Sequence, residues 1–512
     1  MAVDPVKTTL KKLDEHVARM MNKNLLSGMG LGIVQNGKVI FAKGFGLANA
    51  AAKTPVTPDT VFRIASISKT FTAIGVMQLW EQGKFQLDDP INDHLTSFKV
   101  LHDDPSAPPV TIRHMLTHTS GIGEAKSLGE LVGGMLLNLS SDRVKPGDPI
   151  PPLAEYYNSV LKPDVYPGEK WAYANHAFST LGQLIEDVSG EPFPEYMIRH
   201  VFEPLGMNKT DYLFSSRVRD GLAQGYEAKN GRLKPADLFE FPDLGAGSVY
   251  SSVDEMSLYL AALMNGGKNE HGSVLNPETL KLMMTPQYQE DPYLAAMGLG
   301  FMLENEDGHW AAWHGGALPG FNSALWVAPE EKLGLIVWSN TATRAIYYFG
   351  EGILRSLLGL PDYEERLPKP GVINNPHIWQ ELVGTYKPSR GFNSNARIWF
   401  TFGGEVEIYV RDNQLMMRAL AGPMKNGLPL YSTDPENPLV YENVTNGKLS
   451  RFAFKQNNLG QVDRLDMTAL SFYSFYKKPM IESLRFQSRV AAGIVTGFGL
   501  LLLKRLLTPK KR

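Results

Sequence analysis

The spacing of apolar positions changes several times along the chain, and each change predicts an element. Leu10, Leu13, Val17 and Met20–Met21 fall on one side of residues 5–26, the pattern of an amphipathic helix. Gly28-Met-Gly-Leu-Gly-Ile-Val34 then opens a hairpin, with strands over 31–34 and 39–42 around Gln35-Asn36-Gly37. Asn-Gly between apolar runs is the strongest short hairpin signal. A short apolar strand at 61–64 runs into a helix from about Ser66 to Gln82, where Phe71, Ile74, Met77 and Trp80 make one buried stripe. Thr111 caps a short helix that ends at Leu116. Residues 122–165 mix glycines with Pro151, Pro152 and Pro163 and predict a helical lid or loop excursion. A turn at Tyr166-Pro-Gly-Glu-Lys170 precedes a helix over 178–188, and a further helix covers 253–263. Strands at 310–317, 323–327 and 333–338 form an antiparallel meander.

From residue 359 the text changes. Leu360-Pro-Asp, Pro368-Lys-Pro370 and Asn374-Asn-Pro376 mark a proline-rich linker, drawn over 361–378. Short strands follow at 382–386, 398–402, 406–410, 414–418 and 449–454, with turns at Gly403-Gly404, Asp412-Asn413 and Asn457-Asn458. This spacing predicts an antiparallel barrel or sandwich over 379–480. The last stretch, 481–512, holds an apolar run at 490–503 followed by Lys504, Arg505, Lys510, Lys511 and Arg512. Fourteen residues are short for a bilayer span of about twenty. The run is either a membrane-facing segment or a helix buried on protein, and the basic residues favour an anionic membrane surface.

Composition narrows the function. A chain of 512 residues exceeds one ordinary core, so two or three domains are expected. Apolar residues make up 43 % and charged residues 20 %, as in globular proteins, and a net charge of −2 gives no basis for nucleic-acid binding. The absence of cysteine excludes disulfides, thiolate metal sites and a cysteine nucleophile, and fits a reducing compartment. Met1-Ala-Val-Asp-Pro-Val-Lys-Thr8 lacks the apolar core of a signal peptide, so a cytoplasmic location is expected. The glycines at 28–32 lead into a hairpin rather than a helix, which argues against a phosphate loop. Eleven histidines show no His-Glu-x-x-His or similar spacing, so neither metal nor cofactor is expected.

Three sparse signals carry chemistry. Ser66 and Lys69 are three apart at the start of a helix and share a face. A hydroxyl becomes a nucleophile when something takes its proton, and a partly desolvated lysine can do so. Ser159/Lys162 and Ser474/Lys477 repeat the spacing, but Pro163 stops the first and the second lies in a strand. Tyr173 and Asn175 sit between the turn and the next helix. A phenolate accepts a proton if cations depress its pKa, and an asparagine can hold a lysine and a substrate amide. His314-Gly315-Gly316 places two glycines within a strand, where backbone or ligand can approach closely, or where a bulge forms. His118, beside a turn, reads as structural.

Ser66-x-x-Lys69, Tyr173-Ala-Asn175 and His314-Gly315-Gly316, in this order, resemble the three-motif pattern of serine β-lactamase-like proteins. Phe62-Arg-Ile-Ala-Ser66, Leu116-Thr-His-Thr-Ser-Gly121 and Tyr166-Pro-Gly-Glu169 extend the resemblance over about 10–360, nearest the branch of class C β-lactamases, family VIII esterases and D-aminopeptidases. The resemblance implies an α+β fold: an antiparallel sheet flanked by helices with an all-helical subdomain over 1–360, followed by a small antiparallel β-barrel domain. It implies a serine hydrolase with Ser66 as nucleophile and Lys69 and Tyr173 as acid/base groups. Asn175, His314, Gly315 and Gly316 would bind substrate, and the backbone N–H groups of Ser66 and Ala317 would form the oxyanion hole. Where the β-lactamases carry Lys-Thr/Ser-Gly, this chain has His314-Gly-Gly, which favours small esters, amides or peptides over penicillins. A non-enzymatic scaffold, tethered to a membrane through 490–512, is the alternative, and an oligomer is compatible with either.

Overall fold

A computed structural model of the chain describes all residues except 1–3, 125–142, 362–375, 392, 423, 433, 435, 446–447, 469–471, 489 and 491–512. The chain divides into two compact units, with Met1–Arg366 making up nearly all of the first.

The first unit is built on an eight-stranded sheet. Its order is Ala296–Met297, Met302–Glu306, His309–Leu318, Phe321–Ala328, Leu333–Ser339, Gly28–Gln35, Lys38–Asn49 and Thr54–Pro55. The Asn36-Gly37 hairpin forms as expected, with both residues at positive φ. The meander forms too, and its last strand pairs with the first strand of the chain. Successive residues of Leu333–Ser339 face opposite sides. Leu335 and Val337 join the core beneath helices Pro5–Asn24 and Ala345–Leu357, while Ile336 and Trp338 join the core beneath helix Val253–Met264. Both faces are covered, so the strand reads as one apolar run.

The helical half fills most of the chain between the two parts of this sheet. Its centre is helix Ser68–Glu81, preceded by one 3₁₀ turn, Ala65–Ile67. The expected single stripe is replaced by burial on every side: Ser68 to Met77 are all buried. The helix runs between the Val253–Met264 helix and the Asn175–Ser189 helix, so both flanks need apolar or internally bonded side chains. Phe71 stacks on Tyr259 at 4.0 Å, and Gly75 leaves room that Ile185 and Met197 occupy. Thr111 caps Ile112–Leu116 through a capping box with His114. Residues 125–142 of the expected lid lie outside the described residues.

The second unit is an eight-stranded antiparallel sheet with its own core, in the order Leu428–Pro429, Gln414–Ala419, Val406–Arg411, Gly384–Pro388, Tyr473–Lys478, Val462–Met467, Lys448–Gln456, Val440–Thr445. Tyr431 and Glu442 exchange both backbone hydrogen bonds across the two edges and nearly close it into a barrel. One expected strand is corrected. Residues 398–402 belong to helix Ala396–Phe402, closed by Gly403 in the left-handed conformation. Ile398 and Phe402, four apart, are buried, whereas Trp399 and Phe400 are exposed. That is helical spacing hidden in a β-branched and aromatic run. The expected linker lies mostly in 362–375, outside the described residues, and helix Pro376–Leu382 occupies its end. Residues 491–503 of the apolar run also lie outside them. No described helix is long and apolar enough to cross a membrane.

Candidate active site

Ser66 sits in the 3₁₀ turn, partly exposed, on a backbone that neighbouring groups hold under strain. Ala65 before it has φ 49°, a left-handed conformation that costs a non-glycine residue about 1–3 kcal/mol. Four hydrogen bonds hold this turn. The Ser323 hydroxyl donates to the Ile64 carbonyl at 2.7 Å, and the Ile64 N–H donates to the Val249 carbonyl at 3.0 Å. The buried Ser68 hydroxyl donates to the Ala65 carbonyl at 2.5 Å and accepts from the Val249 N–H at 2.9 Å.

Lys69 lies one turn further on and is fully buried. Its Nζ is 3.2 Å from Ser66 Oγ, 2.8 Å from Asn175 Oδ1 and 2.6 Å from the Ala246 carbonyl. Asn175 Oδ1 and a backbone carbonyl can only accept. A charged Lys69 can serve all three partners. A neutral Lys69 can keep donating to those two and turn its lone pair on the Ser66 hydroxyl. The same geometry therefore accommodates both protonation states.

Tyr173 and Asn175 arrive as expected, on the segment leading into helix Asn175–Ser189. Lys69 Nζ lies 4.8 Å from the centre of the Tyr173 ring. His118, read as structural, stacks behind Tyr173 at 4.5 Å, and its Nδ1 accepts from the Ala174 N–H at 3.1 Å. His118 also has a positive φ of 57°, and its carbonyl accepts from the Ala172 N–H at 2.8 Å. It thereby fixes the chain on both sides of Tyr173.

His314, Gly315, Gly316 and Ala317 lie on strand His309–Leu318. The His314 ring is buried, its centre 6.3 Å from that of Tyr173, and its Nδ1 donates to the Gly315 carbonyl at 2.8 Å. The two glycines have separate steric reasons, and neither marks a bulge. A Cβ at Gly316 would stand 2.2 Å from the Ile64 carbonyl oxygen and 2.3 Å from Ser323 Oγ. One at Gly315 would stand 2.9 Å from the Tyr347 ring. The close approach at Gly316 brings the Ser66 turn against the strand. Strand Met302–Glu306 stops pairing at Trp313; beyond it no strand among the described residues pairs with this edge, and Ala317 is exposed.

The other Ser-x-x-Lys spacings do not form such a pair. Ser159 is in a turn with φ 64°, and Lys162 pairs with Asp103. Ser474 and Lys477 are on one strand at an odd offset, hence on opposite faces. Three participants had no recognisable signal in sequence: Ser68, the Ala246 carbonyl and Asp243. Asp243 Oδ1 accepts from Ser179 Oγ at 3.2 Å and lies 3.7 Å from His176 Nδ1. Burial pushes its carboxyl up. The His176 charge, the Ser179 hydrogen bond and the Lys69 charge outweigh that, so the group sits below the usual carboxylate value.

The sheet, the helical half and a serine beside a buried lysine define a β-lactamase/transpeptidase-like architecture. The family model described as Beta-lactamase matches residues 13–350, and the chain belongs to that family, whose members are generally serine hydrolases. PbpX of Bacillus subtilis (strain 168), named as a penicillin-binding protein, is 27 % identical over 348 residues, which are 66 % of this chain and 79 % of PbpX. The octameric penicillin-binding protein homologue from Pyrococcus abyssi superposes with a TM-score of 0.58 at 25 % identity, over 91 % of this chain and 99 % of that one. EstCE1, described as a hydrolase with promiscuous acyltransferase activity, shares the fold with a TM-score of 0.58 at 22 % identity, over 69 % of this chain and 98 % of its own.

Asp243 makes a pH-dependent prediction. A depressed carboxyl contributes stability that is present above its unfolded value near 3.9 and is lost as pH falls through the folded value. Asp243→Asn is expected to destabilise by about 1–3 kcal/mol at pH 7. Denaturation measured from pH 7 downward should show the gap to wild type closing below about pH 4. A gap that stays constant to pH 2.5 would contradict it.

Proposed function

We propose that the protein is a serine hydrolase acting through an acyl-enzyme on a small ester, amide or peptide. The observation that carries this reading is the buried Lys69 Nζ, 3.2 Å from Ser66 Oγ and held by two groups that only accept. In the proposed reaction neutral Lys69 takes the Ser66 proton as Oγ attacks the substrate carbonyl. The backbone N–H groups of Ser66 and Ala317 receive the oxyanion. Such donors are worth about 3–4 kcal/mol each in other hydrolases. The C–O or C–N bond then breaks, and the leaving group takes a proton from Lys69 or Tyr173. Water, deprotonated by the same pair, hydrolyses the Ser66 ester. Asn175 holds Lys69, and together with His314, Gly315 and Gly316 contacts substrate. No metal or cofactor enters the scheme. His314 replaces the cation that β-lactamases offer a penicillin carboxylate, which favours substrates without one.

Assembly and location follow the same reading. The Pyrococcus abyssi homologue is octameric and aligns with most of this chain, which supports an oligomer here. Met480 and Ile481 are 70 % and 69 % exposed, and Phe486 and Val490 are exposed too. These side chains lead into the apolar and basic C-terminus, which supports peripheral contact of a cytoplasmic protein with an anionic membrane.

Two measurements test these readings. Hydrolysis of p-nitrophenyl butyrate should fall to background in Ser66→Ala and by about 10²- to 10⁴-fold in Lys69→Ala and Tyr173→Phe, with penicillin turnover weak or absent. Undiminished ester hydrolysis by Ser66→Ala, or penicillin turnover that rivals the ester, would count against the hydrolase as described. A folded wild type without activity on acyl esters or D-amino-acid amides would favour the scaffold. For the membrane, sedimentation with vesicles containing phosphatidylserine should be lost on deletion of 488–512. Equal sedimentation of the two forms would refute the contact.

A further inference from the structure

The Gly316–Ala317 peptide is held from behind by a hydrogen-bonded pair on neighbouring elements. The Tyr347 hydroxyl, on helix Ala345–Leu357, donates to the Gly316 carbonyl at 2.7 Å. Asn322 Nδ2 donates to the Tyr347 oxygen at 2.8 Å and reaches the Gly316 carbonyl at 3.3 Å. Asn322 is itself fixed, because its Oδ1 accepts from the Thr343 N–H at 2.7 Å and it pairs directly across from Ala317. Asn322 is buried and Tyr347 is partly buried.

A trans peptide is planar, with its C=O and N–H pointing in opposite directions. Whatever fixes the Gly316 carbonyl therefore fixes the Ala317 N–H. Two glycines in succession leave this strand end with more backbone freedom than other residues would. Among the described residues no strand pairs with this edge beyond Trp313, so on that side the peptide plane is left to other groups. Gly315 matters for the same reason, since a Cβ there would collide with the Tyr347 ring.

We infer that Tyr347 and Asn322 are positioning residues for the oxyanion hole: their hydrogen bonds to the Gly316 carbonyl aim the Ala317 N–H at the developing oxyanion. This inference rests on the assignment of Ser66 and Ala317 made above. The hydrogen bonds also act along the peptide. A carbonyl that accepts from a hydroxyl and a side-chain amide polarises its own peptide, and the N–H becomes a stronger donor. The family motif on this strand accounts for the small residues but not for the tyrosine behind them.

The test uses Tyr347→Phe and Asn322→Ala beside wild type and Ser66→Ala. Removing an oxyanion donor outright costs about 10²–10³ in kcat, so misaiming one should cost about tenfold in Tyr347→Phe and less in Asn322→Ala, with KM for p-nitrophenyl butyrate within about twofold. The second reading is spectroscopic. A slowly deacylating cinnamoyl ester is loaded on Ser66, and the acyl carbonyl stretch is measured by difference infrared or Raman spectroscopy. Hydrogen bonds from the hole lower that frequency, so it should rise in both variants. A loss of packing alone would leave the band in place. If Tyr347→Phe fails to fold, Asn322→Ala decides by the same two readings. Unchanged kcat and an unmoved band, with Ser66→Ala inactive, overturn the clamp and leave the nucleophile standing. An active Ser66→Ala overturns the reading of the site, and the clamp with it.

Discussion

Backbone packs against backbone where Ile64 and Ala65 lie on Gly316, and the candidate site depends on that contact. The Ile64 carbonyl occupies the space a Cβ at residue 316 would need. Ser323 bonds that same carbonyl from the adjacent strand, and Ala65 takes a left-handed conformation to follow the curve. Its cost of about 1–3 kcal/mol persists only because the surroundings over-determine it. Ser68 closes the turn from the other side through Val249. The serine thus stands on a rigid edge between the sheet and the buried helix.

Burial of Lys69 is the second constraint, and it follows from the first. A helix that starts at this turn must run through the middle of the fold, so its lysine has no route to water. An ammonium there without partners would be strongly unfavourable. The site answers with Asn175 Oδ1, the Ala246 carbonyl and Ser66 Oγ within hydrogen-bond distance, and with Asp243 acting at longer range. Partners that suit both the charged and the neutral amine are what the proposed role of Lys69 as a proton carrier requires. His118, stacked behind Tyr173, keeps a second titratable group beside it.

Most of this was legible along the chain where the signal is local. Asn36-Gly37, the meander and the three short motifs all depend on residues a few positions apart. The two glycines after His314 were legible as a place of close approach, though the approaching groups, Ile64 and the Tyr347 ring, were not. Contacts between distant segments left no trace: Asp243, the Ala246 carbonyl, Ser68 and Tyr347 are ordinary residues until the fold brings them together. The helix at 396–402 was misread because Ile398, Trp399 and Phe400 favour strands locally, while burial of Ile398 with Phe402 decides for a helix. Burial all round the Ser68–Glu81 helix was hidden because Thr70 and Thr72 read as polar, yet both bond internally.

If this geometry activates a hydroxyl, that hydroxyl is Ser66. Intact-mass measurement after incubation with a fluorophosphonate probe, on wild type and Ser66→Ala side by side, tests it most directly. One adduct is expected on wild type, mapped to the peptide containing Ser66, and none on Ser66→Ala. Equal labelling of both proteins would place the reactive group elsewhere and contradict it.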